Sequence, residues 1–441
     1  MQCDVRDVLV IGGGPAGSTI SALLAEKGWQ VTLLEKDRHP RFHIGESLLP
    51  MNLCILERLG VLDQVREIGV PKYGADFHSE AANDLRRTYY FGGAMDKRHP
   101  YAFEVRRSEF DHILLKNSAA KGVDVREGIR VADVDLRGGH ARVVHALDEQ
   151  GNKHCWEARY VIDASGRDTF LGKRLNLKVR NPTHGSAAIF AHFTKAVRRT
   201  GRDEGNISVY WFRYGWFWMI PLKDDVMSVG AVCWPEYLKG RKNSPEEFLW
   251  DTVKLCPGAH ARLKDARMVG EARATGNYSY SSKRIYGDGY LLVGDAFAFV
   301  DPVFSSGVYL AMVGAEQGAI VVDQCLRDER AGKKLLRQYD RRTRRALRLF
   351  SWFIYRFTSP AFQRLFMHPR NMFRMQEAVI SMLAGDLFRK TPVTMPLLLF
   401  KVVYYLTALS NIDDAWPSYR RRIRNARLAF SGGTMPQDRE G

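Results

Sequence analysis

Residues 7–36, DVLVIGGGPAGSTISALLAEKGWQVTLLEK, constrain the fold of this chain more than any other segment. Residues 8–11 form a continuous apolar run, as expected of a strand buried on both faces. Gly12, Gly14 and Gly17 supply G-x-G-x-x-G, with Pro15 and Ala16 opening an Ala/Leu-rich stretch that reads as a helix to Lys27, with Gly28 as its C-cap. A second apolar strand, residues 31–34, ends in Glu35. Gly12 allows a tight turn, Gly14 lets the backbone approach a pyrophosphate, and Gly17 lets helix and strand pack closely. Glu35 lies about twenty residues beyond the glycines, where a carboxylate holds ribose hydroxyls. The order strand, glycine turn, helix, strand, acid predicts a Rossmann-type dinucleotide-binding unit. An acid at Glu35 disfavours a 2′-phosphate, leaving FAD or NAD.

Composition limits the partners. The 441 residues carry 66 Lys and Arg against 49 Asp and Glu, a formal charge of +17. That excess suits an anionic partner: a dinucleotide, an acidic carrier protein or a membrane surface. Nucleic acid is disfavoured, because no nucleic-acid motif accompanies the charge. Six scattered cysteines without C-x-x-C argue against a disulfide framework or a zinc site and fit a reducing cytoplasm. The first residues are charged and enter a strand at once, so no signal peptide is expected.

Further segments carry chemistry. Residues 291–296 read LLVGDA, a short buried strand ending in Gly294 and Asp295. The following loop holds Asp301, Pro302, Ser306 and Gly307, and leads into a helix of small residues whose N-terminal amides can face an anion. Arg107 opens another helix, Arg41 precedes the segment HIGESLLP at residues 43–50, and Ser47 lies within it. Residues 216–221 read WFWMIP. Trp216 and Trp218, two apart on a strand, point to one face. Aromatic residues alternate through 88–91, 187–193, 207–212 and 227–233, which suits an antiparallel sheet.

Taken together, the chain resembles the FAD-dependent halogenases, class A flavoproteins of the aromatic-hydroxylase type, and most nearly their phenol, pyrrole and carrier-bound-substrate branch. The resemblance covers roughly residues 5–330 and rests on the glycine loop, HIGESLLP, W-x-W-x-I-P and the Gly294–Asp295 and DPVFSSG segments. It implies an α/β fold: a Rossmann-type FAD domain, an antiparallel substrate sheet and a C-terminal α-helical part. The expected FAD-binding region is residues 1–345 with sheet insertions at about 75–105 and 180–280. A helical region follows over 346–430, its basic start at residues 338–345, and a disordered tail over 431–441. By the resemblance, Gly12, Gly14, Ala16, Gly17, Glu35, Arg41, Ser47, Arg107, Asp295 and Pro302 contact FAD. Ser306 and Gly307 hold chloride or bromide, and Lys72 handles hypohalous acid, either as a chloramine or by hydrogen bonding. Trp216, Trp218 and Pro221 screen the substrate from the flavin. The substrate is an aromatic molecule, free or carrier-bound. Reduced FAD comes from a separate NAD(P)H:flavin reductase, since no second nucleotide motif is visible. A monooxygenase or prenyl-type reductase on the same fold is the alternative, and a non-catalytic flavoprotein the more distant one. Residues 397–409, nearly apolar but too short for a membrane span, form a buried helix or an interfacial patch. The arginine-rich residues 418–427 suit an acidic carrier or an anionic membrane at the inner face.

Overall fold

The computed structural model describes residues 3–79, 85–136, 141–182, 184–276, 279–389 and 391–431. Residues 432–441 of the expected tail therefore lie outside the described residues, and Ser431 ends the last helix. The chain divides into two compact units. One comprises Met1–Gly69, Val105–Val179 and Tyr280–Leu349; the other comprises Val70–Glu104, Arg180–Ser279 and Phe350–Gly441.

The first unit is built on an eight-stranded sheet among the described residues. Strand β1 (Asp4–Ile11) lies at its centre, parallel to β2 (Val31–Glu35) on one side and to the strand Lys153–Asp163 on the other. Val8, Leu9 and Val10 are fully buried, as their unbroken apolar run requires. Helix α1 (Pro15–Ala25) follows β1 and packs against the helices Arg107–Ala120 and Ser306–Arg327. The helix stops at Ala25, earlier than expected. Gly28 closes it as expected: at φ +89° its amide donates to Ala25 O, and the next amide, Trp29 N, donates to Leu24 O.

One cysteine expectation is corrected. Cys3 and Cys155 form a disulfide. The parallel register that sets Asp4 opposite Trp156 also brings these two residues, distant in sequence, side by side.

The second unit holds a seven-stranded sheet among the described residues. Its order runs Arg267–Gly276, Ala187–Thr194, Val226–Cys233, Gly215–Pro221, Ile207–Phe212, Gly74–Ser79, Leu85–Tyr90. All pairings are antiparallel except that of Gly74–Ser79 with Ile207–Phe212. Phe217 and Met219 face a core that includes Phe248, Leu249 and Leu263 of the helices Pro245–Lys254 and Pro257–Leu263. The alternate residues Trp216 and Trp218 therefore face the opposite side. The helical region does not begin near residue 340: one helix runs Glu329–Ile354. Its basic stretch is the solvent stripe of an amphipathic helix, with Leu336, Tyr339, Ala346 and Phe350 buried between the charges.

The tightest constraint in the first unit is at Gly17, where a Cβ would lie 1.8 Å from Gly12 O. Gly17→Ala should destabilise the protein by about 1–3 kcal/mol through overpacking. Thermal unfolding against wild type checks this, with Gly172→Ala as a control, where a Cβ would come no closer than 3.5 Å to a neighbouring atom.

Candidate active site

The residues expected to hold cofactor and halide all fall in the first unit, whereas Lys72, Trp216, Trp218 and Pro221 fall in the second. In the first, Gly12 adopts φ +102°, and a Cβ there would strike Ala164 O at 2.5 Å. Gly14 is the N-cap of α1, Pro15 follows it, and no acidic residue stands in the first turn. The helix start thus offers uncapped amides to an anion. Glu35 is buried; it accepts from Gly13 N at 2.6 Å and from Asp37 N at 3.0 Å. Its carboxylate braces the glycine turn, a task the motif reading did not assign to it.

Arg41 stands over this turn. It lies 3.4 Å from Asp111, 3.6 Å from Asp37 and 3.8 Å from Glu35. Arg107 is buried and grips Asp111 with two bonds of 2.7 and 2.9 Å, while Nη1 donates to Ile44 O. Burial alone raises the Asp111 carboxyl, but the Arg107 guanidinium more than offsets it and holds the acid below its usual range. His43 is pushed down to about 4 by burial and then by Arg107, so its ring is neutral at pH 7. Burial raises Asp295 to about 6, opposed by Arg167 and Arg107.

Ala16 also has a packing task. A Cβ on Gly294, which sits at φ +58°, would lie 3.3 Å from Ala16 Cβ and 3.1 Å from Ala311 Cβ. Three segments meet there, and only a glycine fits between the alanines. Pro302 begins a short 3₁₀ turn whose Asp301 carboxylate caps Val303 N at 3.2 Å. Ser305 follows at φ +54°, and its hydroxyl donates to Ser47 Oγ at 3.0 Å. The helix Ser306–Arg327 therefore begins with no side-chain cap and no acid in its first turn, with Ser306 buried and Gly307 beside it.

The residues present fit FAD. A Cβ at Gly14 would meet only Arg41 Nη2, at 3.8 Å, so the backbone there is open. Arg41 Nε is buried with no hydrogen-bond partner among the described residues. An open glycine backbone, free helix amides and a guanidinium with one donor not hydrogen-bonded among the described residues fit a diphosphate.

In the second unit, the strand Val70–Lys72 pairs antiparallel with Ala102–Glu104. Lys72 is 1 % exposed, and Nζ lies 3.6 Å from Glu104 Oε1 and 5.6 Å from the Phe91 ring centre. Burial pushes its ammonium pKa down, partly opposed by Glu104. Asn206, buried, fixes the turn after Lys72 by accepting from Tyr73 N at 3.0 Å and Gly74 N at 2.8 Å. Glu104 and Asn206 escaped the sequence reading, because only strand pairing brings residues so distant in sequence to Lys72.

Trp216 and Trp218 are buried, with ring centres 6.0 Å apart. Trp218 Nε1 donates to Ser228 Oγ at 3.2 Å, and its indole lies across Gly230, where a Cβ would come within 2.2 Å. The glycine on the neighbouring strand makes room for the ring. Pro221 closes the same strand, paired with Met227.

Two outcomes follow. Arg41→Gln should weaken FAD binding about tenfold, the scale of one charge-assisted hydrogen bond; flavin fluorescence titration measures it. Asn206→Ala leaves the buried Gly74 amide and the part-buried Tyr73 amide without this acceptor and should cost about 1–3 kcal/mol of stability. Chemical denaturation checks this.

Known proteins share this organisation. Residues 5–351 match the FAD binding domain family. The 1H-pyrrole-2-carbonyl-[peptidyl-carrier protein] chlorinase of Pseudomonas fluorescens is 30% identical over 370 residues, covering 79% of this chain and 82% of that protein. The tryptophan 2-halogenase of Chondromyces crocatus is 35% identical over 333 residues, covering 73% of this chain and 62% of that longer protein. Among solved structures, the myxobacterial chondrochloren halogenase CndH superposes with a TM-score of 0.75 at 31% identity, covering 97% of both chains. FAD is therefore the cofactor and a halide the co-substrate. With the glycine cradle in place and this similarity running through most of its length, the chain belongs to the flavin-dependent halogenases, FAD-dependent oxidoreductases.

Proposed function

We propose that this enzyme chlorinates or brominates an aromatic natural-product precursor presented on a carrier protein, with Lys72 as the residue that passes the halogen on. The carrier-bound form is supported by the relative whose name specifies a pyrrolyl group on a peptidyl carrier protein. Held at the glycine turn, FAD reduced by a separate NAD(P)H:flavin reductase would supply the reducing equivalents with which dioxygen and halide become hypohalous acid and water. The uncapped start of the helix Ser306–Arg327, with Ser306 and Gly307, is the site we assign to the halide.

The observation that carries this reading is the burial of Lys72. A lysine amine that is 1 % exposed costs free energy to keep charged, and the shift of its pKa is downward. A neutral amine can attack hypohalous acid: the N–halogen bond forms, the halogen–oxygen bond breaks, and the amine proton leaves with hydroxide as water. Glu104 has the opposite effect, favouring the ammonium form that would instead hydrogen-bond the acid. Since desolvation is the dominant influence on Lys72, we favour the neutral route. Trp216 and Trp218, held rigid by Ser228 and Gly230, are the groups we assign to screening the substrate, with Pro221 ending their strand. The basic C-terminal region, Arg420 to Arg424, is assigned to contact with an anionic partner, an acidic carrier or a membrane surface. Among the described residues no single helix is long and apolar enough to cross a membrane.

Product mass spectrometry with reduced FAD, dioxygen and chloride or bromide tests the function. A halogenated product is expected; a hydroxylated product formed without halide would overturn the reading. Lys72→Ala should abolish halogenation while flavin oxidation continues. The pH profile tests the chemistry. A reaction that needs the neutral amine gains rate as pH rises through the Lys72 pKa. Glu104→Gln removes the charge that raises that pKa, so the acid limb should move to lower pH.

A further inference from the structure

The last two helices of the second unit, Thr394–Ser410 and Ile412–Ser431, meet at a bend of 107°. Their inner side is ordinary core: Leu397, Phe400 and Tyr404 are buried. Their outer side is not an ordinary surface. Leu398, Leu406 and Leu409 are 52 %, 62 % and 66 % exposed on the first helix, and Ile412, Trp416 and Tyr419 are 55 %, 53 % and 49 % exposed on the second. The spacing keeps each set on one face, so the two sets make an apolar ridge that continues around the bend.

Cations are interleaved with this ridge. The Arg420 guanidinium lies 5.3 Å from the Trp416 ring centre, and that of Arg422 lies 5.3 Å from Tyr419. Lys401 and Arg356 sit 5.1 and 4.5 Å from Trp352. Beside the ridge, between the two helices, opens a cavity of about 390 Å³. Its walls combine Leu409, Ile412 and Trp416 with Arg356, Arg421 and Arg422, and no carboxylate lines it among the described residues. Arg422 donates through Nη1 to Tyr355 O at 2.6 Å, yet its Nε is buried with no hydrogen-bond partner among the described residues. Repelling guanidiniums, an unsatisfied donor and an apolar wall together describe a receptor for an anionic head joined to a hydrocarbon chain.

We propose that this bent helix pair is a peripheral docking surface for an anionic lipid membrane, with the Arg356–Arg422 cavity receiving a lipid phosphate. This rests on the reading above that the C-terminal region contacts an anionic partner, and it commits that partner to lipid. Exposed Trp and Tyr between apolar and cationic residues match the layering of a membrane interface. A second copy of the chain fits poorly. A two-fold contact would set the arginine cluster against itself.

Flotation of the full-length, FAD-loaded protein with vesicles tests this, using phosphatidylcholine alone and phosphatidylcholine mixed with phosphatidylglycerol. Binding should be at least tenfold stronger to the anionic vesicles and should fall with added salt. Leu406→Gln combined with Trp416→Gln, both at exposed positions, should reduce it tenfold or more with the thermal transition unchanged. Arg422→Gln should remove roughly a fivefold share of the preference. Equal binding to neutral vesicles, or no binding to either, overturns the proposal. If vesicles fail but an acidic carrier protein binds in a manner lost on replacing Arg420 to Arg424, the anionic-partner reading stands and the lipid assignment falls. Dimers in light scattering that disappear with Trp416→Gln would assign the ridge to self-association instead and overturn it too.

Discussion

The contact on which the first unit depends is a backbone approach, not a side-chain interaction. Gly17 comes so close to the carbonyl of Gly12 that no Cβ fits, and Gly12 itself holds φ +102° against Ala164. That approach sets α1 tightly on the end of β1. Once the helix is placed, its free amides, Gly14 and Arg41 share one small region. Glu35 then ties the turn to β2 through the Gly13 amide. The cofactor cradle is thus a consequence of packing, and its charges are added to a geometry that glycine alone permits.

The second unit solves a different problem. It holds the Lys72 amine in a buried setting. Glu104 supplies a counter-charge, Phe91 a ring, and Asn206 pins the following turn through two amides. Removing two charges from water is costly, so the pair is weak evidence for stability. Rigidity recurs in the indoles of Trp216 and Trp218, which occupy space that Gly230 leaves vacant on the neighbouring strand. The same economy of space explains why small residues gather around Gly294, where Ala16 and Ala311 close on it.

Much of the fold was legible in the sequence because its signals are local. The glycine spacing, the apolar run of β1 and the alternating aromatics of the sheet strands each follow from a period or a turn requirement that neighbouring residues reveal. The errors arose where a local rule was outvoted. The helix read as running to Lys27 stops at Ala25, two residues short. A charge-rich segment near residue 340 looked like a new beginning, but it is the wet stripe of the helix Glu329–Ile354. The cysteine pattern gave no hint of Cys3–Cys155, since that pairing depends on the register of two strands remote in sequence.

By itself the sequence determined the α/β class, the FAD-binding turn and the family, because each is encoded in the spacing of residues that touch the chain near themselves. Only the tertiary structure decided what surrounds the residues proposed for the site. It placed Glu104 and Asn206 around Lys72, joined Arg107 to Asp111, set Arg41 among Asp37, Glu35 and Asp111, and split the near-apolar helix Thr394–Ser410 into a buried and an exposed face. The reason is physical. Desolvation and charge pairing depend on distance in space, and a pKa or an exposed ridge exists only once distant segments have been brought together or left apart.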